Sequence, residues 1–230
     1  DRHVEHATGL MTVLGDHADA RTVHRARLAG RQDDVVHLHR ARVELDEAGE
    51  QVAQRLGQLQ QRPFETKNLA VSGSLTDELI QQLAIDDTKQ AIATADLVII
   101  ESGANDFDEA DLTDQNCAGS DECFTSQLAL TRQHLNDIVS SVKALLTIPT
   151  AKVAVLGYWN LFMDGDSAQE EGAEYVVSSD RLTRAFNRMV AEVARANQVV
   201  VPNVFAAFKG IDGGTNPTRL LAPDGDHPNA

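Results

Sequence analysis

The chain has 230 residues, 42% of them hydrophobic, with 35 acidic side chains against 20 Lys and Arg and a formal net charge of −15. That length supports a sizeable core in one large domain or two small ones. The charge argues against nucleic acid as a partner, since neutralising phosphates requires clustered cations, and no uninterrupted apolar run reaches the 18 residues expected of a transmembrane segment.

Residues 1–62 differ in composition from the rest. They contain no Ser, Asn, Lys, Ile, Pro, Cys or aromatic residue, yet hold six of the eight His and nine of the fifteen Arg, while all five Lys come later. Ordinary folded domains use the missing types freely. The stretch reads either as a biased Arg/His/Ala-rich extension or as the translation of another reading frame of GC-rich DNA. Its opening, DRHVEHATGL, lacks the basic-then-apolar layout of a signal peptide. Within it, GLMTVLGD predicts a short strand. RVELDEAGEQVAQRLGQLQQR predicts a helix, with apolar residues at Val43, Leu45, Ala48, Val52, Leu56 and Leu59 near helical spacing, ended by Pro63. The domain boundary therefore falls after residue 62, with a regular domain over 63–230.

From residue 63 the pattern alternates. KNLAVSG predicts a short strand running into a turn. LTDELIQQLAIDDTKQAIATA predicts one helix, N-capped by Thr76 ahead of Asp77 and Glu78. DLVIIESG predicts a buried strand, residues 125–146 a long helix, AKVAVLGYW a second buried strand, residues 179–197 another helix and QVVVPNV a third buried strand. Helices alternating with fully apolar strands indicate an α/β fold, a parallel sheet covered on both faces. Such folds place their sites in the loops at the carboxyl ends of the strands.

The two cysteines, Cys117 and Cys123, sit six apart in a polar, Gly-containing segment. That favours a disulfide-closed loop over a metal site and hence an oxidising compartment, so a secreted or periplasmic location is expected. The acidic run Asp106, Asp108, Glu109 and Asp111 reads as a solvated loop rather than a calcium site. Tyr158, Trp159, Phe162 and Met163 read as core rather than as an acyl pocket, because large apolar residues are mostly buried for packing.

Three polar signals fall at strand ends: Gly73 in NLAVSGS; Gly103, Asn105 and Asp106 in VIIESGANDF; and Asp224 with His227 in the terminal DGDHPN. Together, in this order, they resemble blocks II, III and V of the SGNH/GDSL hydrolases, over residues 63–230. The resemblance implies a flavodoxin-like three-layer α/β/α fold and hydrolysis of carboxylic esters through an acyl-enzyme, on a small-molecule or lipid ester. It implies no metal and no organic cofactor. Carried over by position, the Gly73 backbone N–H and the Asn105 amide are oxyanion-hole donors, His227 is the general base and Asp224 orients it. Fixed neutral donors suit an oxyanion, and losing one typically costs roughly 3 kcal/mol of transition-state stabilisation.

The family's nucleophile is the serine of a Gly-Asp-Ser block after the first strand. Here no serine precedes Ser72, and Gly15-Asp16-His17 stands in the expected place. Ser72, Ser74 and Ser102 flank the oxyanion donors but do not occupy the nucleophile's position in the family layout. Two functions therefore stay open: an esterase or lipase with an impaired nucleophile block, or an inactive SGNH-fold protein that binds an ester, acyl chain or glycan. The chain ends at Ala230, where the resemblance implies a further helix, so uncovered apolar sheet surface and with it reduced stability or association are expected.

Overall fold

The computed structural model describes residues 9–15, 50–112 and 122–229. Among the described residues, four parallel strands form the sheet: β1 (Gly9–Gly15), β2 (Phe64–Asn68), β3 (Leu97–Glu101) and β4 (Lys152–Val155), in the order β2-β1-β3-β4. The register sets Gly9 opposite Phe64, Met11 opposite Leu97 and Leu97 opposite Lys152. The expected α/β class with a parallel sheet is borne out.

Between the strands run α1 (residues 50–60), α2 (Thr76–Gln82), α3 (Asp86–Ala93) and α4 (Glu122–Leu145), and after β4 come α5 (Gly165–Glu171), α6 (Ala173–Asn197) and α7 (Val204–Lys209). The two long helices carry the core at helical spacing. Thr131, Leu135, Ile138, Val139 and Val142 on α4 are fully buried, as are Leu182, Phe186, Val190 and Val193 on α6. They close over Val98 and Ile100 of β3 and Val153 and Val155 of β4 in one cluster. Tyr158, Phe162 and Met163 belong to that cluster, and Trp159 stacks on Phe208 with centroids 4.4 Å apart. These four residues are core, as expected.

Several sequence expectations need correction. The second strand is FETKN, not KNLAVSG, because the Asn68 side chain accepts the Ala70 N–H at 2.9 Å and this Asx turn ends the ladder. The expected single helix after Thr76 is two, α2 and α3, interrupted at residues 83–85. Leu75, not Thr76, is the N-cap; Thr76 is the first helical residue, and its hydroxyl is committed to Asp106. The third buried strand shrinks to a single bridge between Val200 and Ala154, with Val200 54% exposed. Pro202 supplies no N–H to extend it. The described turns of α1 bury Ala53 and leave Val52 and Leu59 exposed, so the packing face is rotated from the one expected. Gln61 in the left-handed region (φ 54°) and an Arg62 N–H to Gly57 carbonyl bond of 3.2 Å close that helix just before Pro63.

Among the described residues, no helix is long and apolar enough to cross a membrane. Cys123 is disulfide-bonded; Cys117 lies outside the described residues.

Candidate active site

With the strand order β2-β1-β3-β4, the strands that follow β1 lie on opposite sides of it, β2 on one and β3 on the other. The crevice of a parallel sheet opens at that reversal, outside the carboxyl ends of β1 and β3. Gly15 is in register with Glu101, so β1 ends level with the last residue of β3. Asp16 and His17, next in sequence, lie outside the described residues. On the β3 side the chain continues as Ser102-Gly103-Ala104-Asn105.

Gly103 is required by its conformation and by its neighbours. Its φ is 119°, and a Cβ there would stand 3.0 Å from two ring atoms of Phe186 and 3.1 Å from Thr131 Cγ2. The close approach tucks the loop against α4 and α6 and starts the short 3-10 turn Ala104–Asp106. Asp106 then fastens this turn to the rest. Its Oδ1 accepts the Thr76 N–H at 3.0 Å, and its Oδ2 accepts the hydroxyls of Thr76 (2.6 Å) and Thr131 (2.8 Å). Because the Thr76 hydroxyl donates to Asp106, it accepts from Nδ1 of His134, 2.8 Å away. One carboxylate therefore ties β3's loop to the start of α2 and to the middle of α4.

The block around Gly73 sits on the same tie. Val71 to Ser74 make a turn closed by a 3.2 Å Ser74 N–H to Val71 carbonyl bond, with Gly73 buried at its third position and φ 76°. A type II turn requires that conformation there. Asn105 reaches this turn, its Nδ2 lying 3.5 Å from the Ser74 carbonyl. Its Oδ1 is buried without a hydrogen-bond partner among the described residues. An amide nitrogen carries two hydrogens, so a contact to Ser74 leaves the second for another acceptor. Gly73 and Asn105 are thus brought together. Ser74 and Ser102 are buried, Ser102 to 1% exposure with its Oγ also unpartnered among the described residues, and Ser72 is half-buried.

The terminal loop is built as a tight hairpin. Leu221 bridges Pro228, the Ala222 N–H donates to the His227 carbonyl at 2.7 Å, and Gly225 turns the chain with φ 75°. A Cβ on Gly225 would stand 2.5 Å from Ser167 Cβ and 3.1 Å from the Asp164 carbonyl oxygen. Glycine is needed for the loop to lie against the start of α5, where the Asp164 N–H donates to the Gly225 carbonyl at 2.8 Å. The turn brings Asp224 back onto His227. Oδ1 accepts the backbone N–H groups of Asp226 (3.0 Å) and His227 (3.1 Å), and Oδ2 lies 2.9 Å from His227 Nδ1.

Partial burial of Asp224 opposes its ionisation. The hydrogen bond from the His227 ring, the two backbone N–H donors and the attraction of the imidazole together outweigh that, lowering its pKa from 3.8 to about 2. An ionised partner at Nδ1 fixes the proton there and puts the lone pair of the neutral ring on Nε2. Asp224 and His227 are therefore held in contact, as the pairing implied by the family resemblance requires.

The side chains that support these groups are not legible in the sequence. Asp106 was visible only as part of GAND and an acidic run; Thr76, Thr131, Asp164 and Gly225 carried no signal beyond ordinary loop and helix composition. The acidic run is not one unit. Asp106 faces inward, and Glu109 accepts the hydroxyl of Tyr175. Among the described residues, no group of three or more His, Cys, Asp or Glu could hold a metal.

Comparison with known proteins places the fold and the family. Among solved structures, the chain is similar to the lipase Lip_vut3 from a goat rumen metagenome, with a TM-score of 0.61 at 16% identity, covering 96% of this chain and 90% of that one. It is also similar to a lipase/acylhydrolase from Enterococcus faecalis (TM-score 0.53, 15% identity, 96% and 88% covered). A third is phospholipase A1 from Streptomyces albidoflavus NA297 (TM-score 0.52, 18% identity, 96% and 93% covered). At these identities the likeness is one of fold. A search of curated protein sequences finds no match. The model of the GDSL-like Lipase/Acylhydrolase family matches residues 23–230, nearly the whole chain. The chain belongs to that family.

Proposed function

We propose that this protein is a carboxylic ester hydrolase of the GDSL/SGNH type, with His227 as general base, Asp224 as its orienting carboxylate, and the Gly73 N–H and Asn105 amide as oxyanion donors. The observation that carries the reading is the 2.9 Å contact between Asp224 Oδ2 and His227 Nδ1, made by a carboxylate that two backbone N–H groups also hold. A carboxylate so held stays ionised at neutral pH and keeps the ring oriented as its charge changes during proton transfer. In acyl transfer, Nε2 takes the proton of the attacking hydroxyl and returns it to the leaving alcohol. The two donors receive the negative charge that develops on the carbonyl oxygen.

The nucleophile decides how fast this runs. The block after β1 reads Gly15-Asp16-His17, and burial of Ser74 and Ser102 argues against either as a substitute. Without an acyl acceptor, a serine hydrolase keeps only the acceleration from binding and the oxyanion hole, roughly 10³ to 10⁴ over water in the protease example. The same observation favours a second reading, an inactive SGNH-fold protein that binds an ester, acyl chain or glycan in the crevice. Half-cystine Cys123 supports a secreted or periplasmic location.

Hydrolysis of a soluble p-nitrophenyl ester by the wild type, His227→Ala and Asn105→Ala separates the two. The hydrolase reading expects turnover that falls in both variants, by about 10²–10³ for a lost oxyanion donor. Turnover equal in all three proteins would refute it, and saturable ester binding without turnover would favour the second reading.

A further inference from the structure

Of the five Lys in the chain, only Lys209, the last residue of α7, is buried, at 6% exposure. A buried ammonium needs partners, and this one has two carboxylates. It donates to Asp164 Oδ2 at 2.8 Å and to Asp180 Oδ1 at 3.0 Å. Asp164 is as deeply buried and fully committed. Its Oδ1 accepts the Gly165 N–H at 2.7 Å, capping α5, and its Oδ2 lies 3.3 Å from the Asn160 amide nitrogen. Apolar side chains of similar volume commonly fill such a position at no loss of stability. What the ion pair adds is fixed geometry.

The geometry it fixes is that of the terminal hairpin. The Asp164 N–H donates to the Gly225 carbonyl at 2.8 Å, beside Asp224. The first turn of α5 carries the approach to the hairpin. There the Asp166 N–H donates to Thr218 Oγ1 at 2.8 Å and the Asp166 carboxylate accepts the Asn216 amide at 2.9 Å. A Cβ on Gly165 would stand 2.4 Å from Thr218 Oγ1, so the two segments lie in direct contact. On the other side, the Lys209 carbonyl accepts the Thr215 N–H at 2.9 Å, closing the loop that leads on to Asn216 and Thr218. Lys209 therefore grips both the platform under the hairpin and the segment that enters it.

We propose that Lys209 is a positioning residue: through Asp164 it fixes the place of Gly225, and with it of Asp224 and His227. The inference rests on the reading of His227 as general base. Proton transfer requires Nε2 within hydrogen-bond reach of the attacking hydroxyl, and a misplacement of about 1 Å costs roughly 10²-fold in rate. Among the described residues the Lys209 ammonium bonds only Asp164 and Asp180, so its removal acts on the placement of His227 rather than on the affinity for substrate.

Hydrogen–deuterium exchange together with steady-state kinetics on p-nitrophenyl acetate, for the wild type and Lys209→Met, tests this. Peptides over residues 220–229 are expected to lose protection about tenfold or more while those over β3 and α4 keep theirs. The kcat is expected to fall roughly 10²-fold with KM unchanged. Met replaces the lysine stem but strands the Asp164 carboxylate; the double variant Lys209→Met/Asp164→Asn strands no charge and carries the same expectation where the single variant fails to fold. If the wild type does not turn over, the hydrolase reading fails and exchange alone decides whether Lys209 holds the hairpin. Hairpin protection equal to wild type overturns the proposal. So does an equal loss of protection across the whole chain, a kcat that stays at the wild-type value, or a rise in KM alone.

Discussion

Gly103 offers the sharpest test of how the β3 loop is held, because Gly172 serves as its control. Both glycines have strongly positive φ, 119° and 107°. A Cβ at Gly103 would press on Phe186 at 3.0 Å and Thr131 at 3.1 Å, whereas a Cβ at Gly172 meets nothing within 4 Å. Phe186 has little room to yield. It is 0% exposed and stands edge-on to Phe107 and Tyr158, with centroids 5.9 and 5.5 Å away. Alanine in such backbone regions costs about 1–3 kcal/mol at either site. Overpacking a rigid core adds about 1–3 kcal/mol, and only at Gly103. Gly103→Ala is therefore expected to lose about 1–3 kcal/mol more than Gly172→Ala. Urea unfolding followed by the fluorescence of Trp159, which is buried, reads the difference as a shift in midpoint at equal slope. If Gly172→Ala were destabilised as much as Gly103→Ala, the steric argument would be wrong.

Two other outcomes follow from named contacts. Asp106→Ala strands the Thr76 N–H and the hydroxyls of Thr76 and Thr131. An unsatisfied buried donor costs about 1–3 kcal/mol, so the urea midpoint should fall well beyond the effect of an ordinary surface change. Asp224→Asn should uncover the pH dependence of the terminal loop. The folded carboxyl titrates at about 2 and the unfolded one at 3.8, so its stabilisation is fully present above pH 3.8 and is lost as the pH falls through about 2. The stability difference between wild type and Asp224→Asn should be constant above about pH 4 and vanish toward pH 2, and it should be small because the side chain is 48% exposed to solvent screening. A difference that grows on acidification would contradict the assigned direction.

The sequence was most legible where one local signal sufficed. Leu97–Glu101 and Lys152–Val155 announce themselves as apolar runs bounded by polar residues, and α4 by its apolar spacing. Asp224 and His227 are paired through the family resemblance, and the contact itself is local, made three residues away. Legibility failed where a distant partner decides. Thr76 looks like a cap until Asp106, thirty residues on, takes its hydroxyl. QVVVPNV looks like a central strand, but only Val200 pairs, and Pro202 stops the ladder at the sheet edge. The FETKN strand is polar because it lies at the other edge, where alternate residues face solvent. The roles of Gly103 and Gly225 depend on which side chains approach them, and composition does not encode that.

The central claim is that His227, oriented by Asp224, activates a nucleophile in the crevice. Labelling with a fluorophosphonate probe, followed by peptide mass spectrometry on the wild type and His227→Ala, tests it most directly. The account predicts one modified residue in the wild type and none in the variant, which would also identify the nucleophile. Equal labelling with and without His227, or none in a folded wild-type protein, would contradict it and leave the pair without a catalytic role.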